Sequence, residues 1–441
     1  MSYAVGNLER MCPQIKDSFA TLVFVLVFAS SAFGQPIQKI WETALDVDPI
    51  LTAKKERIVA AEHNMIASEA EKYGQIDLYS RYRWQNDNQT RAAIGTPSDA
   101  ILANLPLTQK DNYTGSLAYQ RTLYDFGKIK GTIDASFLAH QSAIHEYYAS
   151  VQSLKLNVAK SYINILRADD TAAIAKAKLE SLEEHRDKVN AKYRQGRAII
   201  NEVLSITAAV SNTEIDIVTA EANVKVAKAH LNRFLQRRLE EPMQIEHFEL
   251  PPDERDMAIL AQRAILIRTE LQVLSAEASK LTRQADSVDA SRKPQISARL
   301  GVDAEQNLYL TNQAFSSAAI LADWNVSDFG KRRNEACSLR RQASAVLSER
   351  IDIVSRIELE VYEASTRQGS TRQAIELRKA AVDAAEENLR VQKSRYREGK
   401  SSTQNVLEAE AILVNAQTQY SLSKFDAILA TMELLRATGE L

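Results

Sequence analysis

Six histidines, two cysteines and a few paired carboxylates are all that this 441-residue chain offers toward catalysis or metal binding. His63, His140, His145, His185, His230 and His247 are scattered. No His-Glu-x-x-His pair could grip zinc, no Gly-x-Ser-x-Gly turn could raise a nucleophile, and no phosphate-binding loop is present. Asp169-Asp170 is a lone acidic pair in a run of helix formers, which reads as solvated surface. Asp-Phe-Gly occurs as in protein kinases, but it occurs twice and lacks both the His-Arg-Asp loop and a Gly-rich loop. Cys12 and Cys337 make neither a disulfide framework nor a metal-type pair. With 55 basic and 57 acidic residues the net charge is −2, so nothing favours nucleic acid. The expectation is a protein without catalytic residues, cofactor or metal.

The Asp-Phe-Gly motif is informative for its doubling. Asp125-Phe126-Gly127-Lys128 returns as Asp328-Phe329-Gly330-Lys331, an offset of 203 residues (328 − 125). Tyr193-Arg194-Gln195-Gly196 returns as Tyr396-Arg397-Glu398-Gly399 at the same offset (396 − 193 = 203). Two separated motifs sharing one offset mark a tandem repeat. Upstream, Leu51 and Leu271, like Ile76 and Ile296, are 220 apart (296 − 76), which places 17 extra residues (220 − 203) in a first-repeat loop at about 85–112.

The elements that carry these motifs follow from punctuation. No proline lies between Pro106 and Pro242 or after Pro294, and from Thr132 to Glu241 the only glycine is Gly196. Proline and glycine break helices, so long ones are expected at about 128–194 and 201–235, and again at about 331–397 and 403–437. The 67-residue arms would be on the order of 100 Å long. Gly196 and Gly399 mark the turns at their tips. Asn201 and the Ser401-Ser402-Thr403 cluster are the expected helix N-caps. Apolar residues repeat every seven positions in two adjacent seams, Leu339, Val346, Ile353 and Leu347, Val354, Val361. Two seams suit a helix packed between two neighbours.

Ahead of each long arm the period changes to two. Ile76, Leu78, Tyr82 and Trp84 alternate with polar residues, as do Ile296, Ala298, Leu300 and Val302, and Ile320, Ala322, Trp324 and Val326. Strands are expected at about 75–85, 113–123, 295–305 and 315–326, each near the ten residues that cross a membrane as tilted β-structure. Arg121 departs from the pattern on an apolar side. A helix precedes each first strand, at about 37–73 and 256–291. At the N-terminus, Arg10 and Lys16 precede the apolar run 19–28, and Ala32-Phe33-Gly34 fits a signal-peptidase site. The expected organisation is a signal peptide at 1–34, a first repeat at 35–239, a linker at 240–255 and a second repeat at 256–441.

Four strands cannot close a barrel, and no open sheet edge survives in lipid, so several chains must combine their strands. Export signal, tandem repeat, a Phe-Gly turn after the second and fourth strands and Tyr-x-x-Gly at both helical turns together resemble the TolC-like outer-membrane channel family, over about 37–439. The resemblance implies a mixed α and β membrane protein of a Gram-negative outer membrane. It also implies a homotrimer with a twelve-strand β-barrel set in lipid and a twelve-helix α-barrel reaching into the periplasm. It implies as partners a periplasmic adaptor and an inner-membrane transporter of the ABC, RND or MFS type, in efflux or type I secretion; cargo choice lies with the transporter.

The resemblance also implies an iris-like gate at the tip. Carried over by position, its tyrosines are Tyr193 and Tyr396, and the carboxylate partner of Tyr396 is Glu202. The family's basic residue two past the glycine falls on Ser401, which forms no salt bridge, leaving Lys400 or Arg397 as substitutes. Of the two acidic ring positions, one falls on Asn405 and the other on Glu408, so half of the acidic gate remains. A competing reading is a periplasmic coiled-coil adaptor, which also carries long helical hairpins but not two ten-residue strand pairs. Salt and carbonate washing of membranes separates the two, since a barrel stays in the outer membrane.

Overall fold

The computed structural model describes residues 35–93, 103–106, 109–248, 250–253 and 255–441. The signal-peptide reading at 1–34 lies outside the described residues. The elements run α1 (Gln35–Val47), α2 (Pro49–Ala70), β1 (Gln75–Trp84), β2 (Thr90–Ala93), β3 (Ala103–Pro106), β4 (Asp111–Tyr124), α3 (Lys128–Arg194) and α4 (Ile200–Phe234). They continue with α5 (Met257–Ile267), α6 (Thr269–Ala290), β5 (Gln295–Gln306), β6 (Ala314–Asp323), α7 (Lys331–Arg397) and α8 (Thr403–Thr438). Two compact units divide the chain. One takes the residues up to Lys55 with Glu146–Leu271 and Asp352–Leu441; the other takes Glu56–His145 and Gln272–Ile351.

In the first unit, Tyr162, Ile163, Leu166 and Val158 of α3 pack with Ile37, Trp41 and Leu51, with Leu231 of α4 and with Met432 of α8. The segment 240–250 closes over this core: Phe248 is buried, and the Tyr162 hydroxyl donates to the Glu246 carbonyl at 2.6 Å. Trp41 donates its indole N–H to the Lys155 carbonyl at 2.9 Å, so the buried ring leaves no unpaired donor.

Two helices expected to be continuous are broken at matching points of the repeat. The first, expected over 37–73, breaks at Asp48 between α1 and α2. Pro49 explains the break, because it lacks an N–H and forces its predecessor out of the helical region. Asp48 then caps α2 by accepting from the Leu51 N–H at 2.8 Å. The second, expected over 256–291, breaks at Arg268, 220 residues on (268 − 48), where the backbone is extended (φ −57°, ψ 119°). No proline acts there. The Arg268 side chain turns inward to Glu270 (3.0 Å) and Glu360 (2.7 Å) and to the Ala437 carbonyl (3.1 Å).

In the second unit, β1, β4, β5 and β6 form one antiparallel sheet in the order β1-β4-β5-β6, with a bulge between Thr122 and Tyr124. The register sets Ile76 beside Tyr119 and Tyr119 beside Leu300. The next row on that face is Leu78, Leu117 and Val302, and Tyr82 faces Tyr113 two rows further on. One face therefore carries apolar rows, interrupted at Ser80 and Gly115, and none of the described residues covers them: Leu78 is 80% exposed and Ile320 76%. Water does not tolerate such a face over a whole sheet, whereas a lipid-facing barrel wall requires it. β1 and β6 are both edge strands. Arg121 sits among these apolar side chains but turns to the Lys72 carbonyl, 3.1 Å from its Nε.

Two strand expectations need correction. The strand expected to reach 326 ends at Asp323: Trp324 leaves the ladder, and its indole N–H donates to the Arg292 carbonyl at 3.0 Å. The stretch 85–112, expected as a loop, contains the short antiparallel pair β2–β3.

Gly74, which leads into β1, has φ +77°, and a Cβ there would lie 2.2 Å from the Gln120 carbonyl oxygen. Ala at this position must break the first β1–β4 pair, Gln75 with Gln120, or strain the backbone. Gly74→Ala is expected to cost at least about 2 kcal/mol and to lower the thermal midpoint of the β-signal in detergent. An unchanged midpoint would contradict this reading of the strand entry.

Candidate functional site: the helical tips and the strand-to-helix turns

The two Asp-Phe-Gly turns are alike. Asp125 accepts from the N–H groups of Gly127 (3.0 Å) and Ile129 (2.6 Å), and Asp328 from those of Gly330 (3.0 Å) and Arg332 (3.1 Å). Each aspartate thus N-caps a 67-residue helix, where its charge also meets the positive end of the helix dipole. These backbone N–H groups, that of Arg332 first, hold the Asp328 carboxyl below the usual carboxylate range. The turn drives both phenylalanines to positive φ, 56° at Phe126 and 51° at Phe329, a strained setting for a large side chain. Phe126 is steadied by Tyr124 and by the Lys293 ammonium 5.0 Å from its ring, whereas Phe329 is 100% exposed.

The far ends of the long helices close with matching turns. Gly196 (φ 68°) and Gly399 (φ 76°) terminate α3 and α7 in the left-handed conformation. Arg197 N–H returns to the Lys192 carbonyl at 2.9 Å and Lys400 N–H to the Arg395 carbonyl at 2.8 Å, so the last carbonyls of each helix are satisfied. Beyond the turns, Ser402 caps α8 by accepting from the Asn405 N–H at 3.4 Å. Asn201, the expected cap of α4, is not one. That helix starts at Ile200 with Ile199 in the cap position, and no side chain caps it.

Between the tips lies the site. Tyr396 is 3% exposed and donates its hydroxyl to Glu202 at 3.2 Å; the same carboxylate oxygen accepts from the Thr403 hydroxyl at 3.0 Å. Tyr396 of α7, Glu202 of α4 and Thr403 of α8 thus tie the two helical hairpins together. Burial first, and the neighbouring Glu202 charge with it, push the Tyr396 phenol upward and keep it a donor. Around this point Leu182, Val189, Ile206, Leu389 and Val406 exclude water.

The remaining expected gate residues lie apart from that contact. Tyr193 is 43% exposed and does not enter the apolar cluster. Ser401 donates to Gln392 Oε1 at 3.0 Å and accepts from Asn405 Nδ2 at 3.1 Å. Glu408 is exposed on α8. Lys400 pairs with Glu398 at 2.8 Å, and Arg397 is exposed.

Sequence reasoning missed the groups that do meet Tyr396. The Lys192 ammonium lies 4.1 Å from its ring centroid and donates to its backbone carbonyl; His185 stacks edge-on at 4.7 Å. Glu410, also missed, is buried and accepts from Ser181 at 3.0 Å, with Lys393 at 3.4 Å. Lys192 and His185 are seven apart on α3, a spacing that sets them on one helix face but does not name the partner.

The chain is similar to several known proteins. The family described as "Outer membrane efflux protein" matches residues 40–235. Nodulation protein T of Rhizobium leguminosarum bv. viciae is 25% identical over 306 residues, 66% of this chain and 62% of the relative, so the match spans less than two thirds of that protein. Outer membrane protein TolC of Escherichia coli (strain K12) is 20% identical over 435 residues, covering 94% of this chain and 84% of TolC. The solved structure of the outer membrane protein VceC from Vibrio cholerae superposes with a TM-score of 0.78 at 16% identity, covering 91% of this chain and 96% of VceC. At that identity the superposition establishes the fold.

Proposed function

Given a TolC-like chain that matches the outer membrane efflux protein family over residues 40–235, we propose that it is the outer-membrane exit duct of a tripartite efflux or type I secretion system. Three copies of the four-stranded sheet would close a twelve-strand barrel in lipid, and the long helices would continue it into the periplasm. A periplasmic adaptor and an inner-membrane transporter would deliver substrate at the Gly196 and Gly399 tips. The observation that carries this reading is the sheet: an uncovered apolar face and two edge strands, which lipid and neighbouring copies would satisfy together. The helices support it as well, since Leu347, Ile351, Leu359 and Leu377 of α7 are exposed among the described residues. Among the described residues no helix is long and apolar enough to cross a membrane.

The tips would form the closed gate, held by Tyr396, Glu202 and Thr403. Glu408, repeated by threefold symmetry, would set three carboxylates at the constriction, where low-dielectric walls strengthen their field. Asn405 occupies the other ring position, so cation block should be weak. In planar bilayers, Glu408→Ala is expected to lower cation selectivity, and Asn405→Asp to strengthen block by divalent cations. Unchanged conductance, selectivity and block in Glu408→Ala would mean that Glu408 faces away from the lumen.

A further inference from the structure

His185 is 3% exposed, and its Nε2 has no hydrogen-bond partner. A buried imidazole normally finds one, because an unpaired polar group in a packed core is costly. Here the ring stands edge-on to Tyr396, centroid to centroid 4.7 Å at 65°. Lys192, two turns further along the same face of that helix, sets its ammonium 4.1 Å from the Tyr396 ring centroid and donates to the Tyr396 backbone carbonyl. Tyr396 is therefore gripped at three points: hydroxyl by Glu202, carbonyl by Lys192, ring by His185 and Lys192.

We propose that Lys192 and His185 supply the second clamp on Tyr396 that Ser401 lacks, and that protonation of His185 releases it. The proposal rests on the gate reading and adds its regulation. The charges around His185 explain why a proton would be disruptive. On its own helix are Lys188 and Lys192; α7 contributes Lys393 and the Tyr396 phenol. The carboxylates of the cluster are already engaged, Glu410 of α8 with Ser181 and Lys393, and Glu202 of α4 with Tyr396 and Thr403. An imidazolium would meet three ammonium groups and no free carboxylate. Its repulsion of Lys192 acts directly on the contact that holds Tyr396.

Burial first, then Lys393, Lys188 and Lys192, lower the His185 pKa from 6.5 to about 4. A depressed histidine pKa means that the closed packing binds the proton less readily than the released state. The clamp is thus fully present above about pH 6.5, weakens as pH falls below that, and has lost this contribution once pH passes below about 4. The periplasm follows external acidity, because the outer membrane passes small ions, so the duct would loosen when the surroundings turn acid.

The test is conductance in planar bilayers of the full-length protein, titrated from neutral pH to about 4. Wild type is expected to show an acid-induced rise in conductance. His185→Gln, which carries no charge at any of these pH values, should lose that rise; His185→Phe, which keeps a ring, is the second variant should the first fail to insert. Lys192→Met removes one of the like charges and one grip, so the rise should move toward neutral pH, while Lys192→Arg should leave it in place. A wild type without a rise, or a rise that survives at the same pH in both His185 variants, overturns the proposal. Tyr396→Phe separates the two levels. If it opens the channel at neutral pH while the His185 variants keep the rise, only this inference falls. If it conducts like wild type, the gate reading falls and the inference with it.

Discussion

Replacing Arg268 by Met should cost about 3 kcal/mol of unfolding free energy, the low end of the range for removing one partner of a buried ion pair. Arg268 is 3% exposed and bridges Glu270, Glu360 and the last turn of α8 through the Ala437 carbonyl. Its loss leaves Glu270, three-quarters buried, with Arg436 at 2.9 Å as its remaining partner. Glu360 is half exposed and recovers its hydration, which is why the upper end of the range does not apply. The cost carries a pH signature. Burial alone would push the Glu270 carboxyl up, but the Arg268 hydrogen bonds outweigh it and hold the group below 4.5. A depressed carboxylate stabilises the fold above its ordinary pKa and loses that contribution as pH falls through the lowered value. The gap between wild type and Arg268→Met should therefore be widest near neutrality and narrow in acid. Thermal unfolding in detergent at neutral and acid pH measures both; a variant that melts with wild type at neutral pH would show that the pairs contribute nothing.

The second large effect is at the tips. Tyr396→Phe removes one hydrogen bond to a charged acceptor, about 1.5–3 kcal/mol. If that bond exists only in the closed arrangement, the open-to-closed ratio rises about tenfold or more. Glu202→Gln keeps an acceptor for Thr403 but loses the charge, so a smaller increase is expected. Closed-state conductance in planar bilayers reads both. Equal conductance of Tyr396→Phe and wild type would reduce the buried tyrosine to packing.

The repeat, the long helices and the strand faces were legible because each rests on local chemistry. The scarcity of proline and glycine permits α3 and α7, and alternation at 76–84 and 296–302 meets the apolar rows of β1 and β5. The break at Asp48 was written in Pro49 and was overlooked. The break at Arg268 has no local sign: it depends on Glu360 and Ala437, about 90 and 170 residues away in sequence, an example of tertiary contacts overriding propensity. The end of β6 is similar, since Trp324 continues the alternation and leaves it only because the Arg292 carbonyl is within reach. At the tips, the family resemblance, carried over by position, paired Tyr396 with Glu202. Lys192 and His185 escaped notice because a lysine and a histidine on a charged helix resemble solvated surface until the partner helix is placed. Thr403 was read as part of a capping cluster, and only its distance to Glu202 shows its other contact.

The central claim is that this chain builds a duct only as several copies, because a four-stranded sheet with an uncovered apolar face and two edge strands cannot stand alone in lipid. Native mass measurement of the detergent-extracted protein tests it most directly, with circular dichroism on the same sample to verify β-content. A mass of three chains is predicted. A stable single chain that retains its full β-signal would contradict the account.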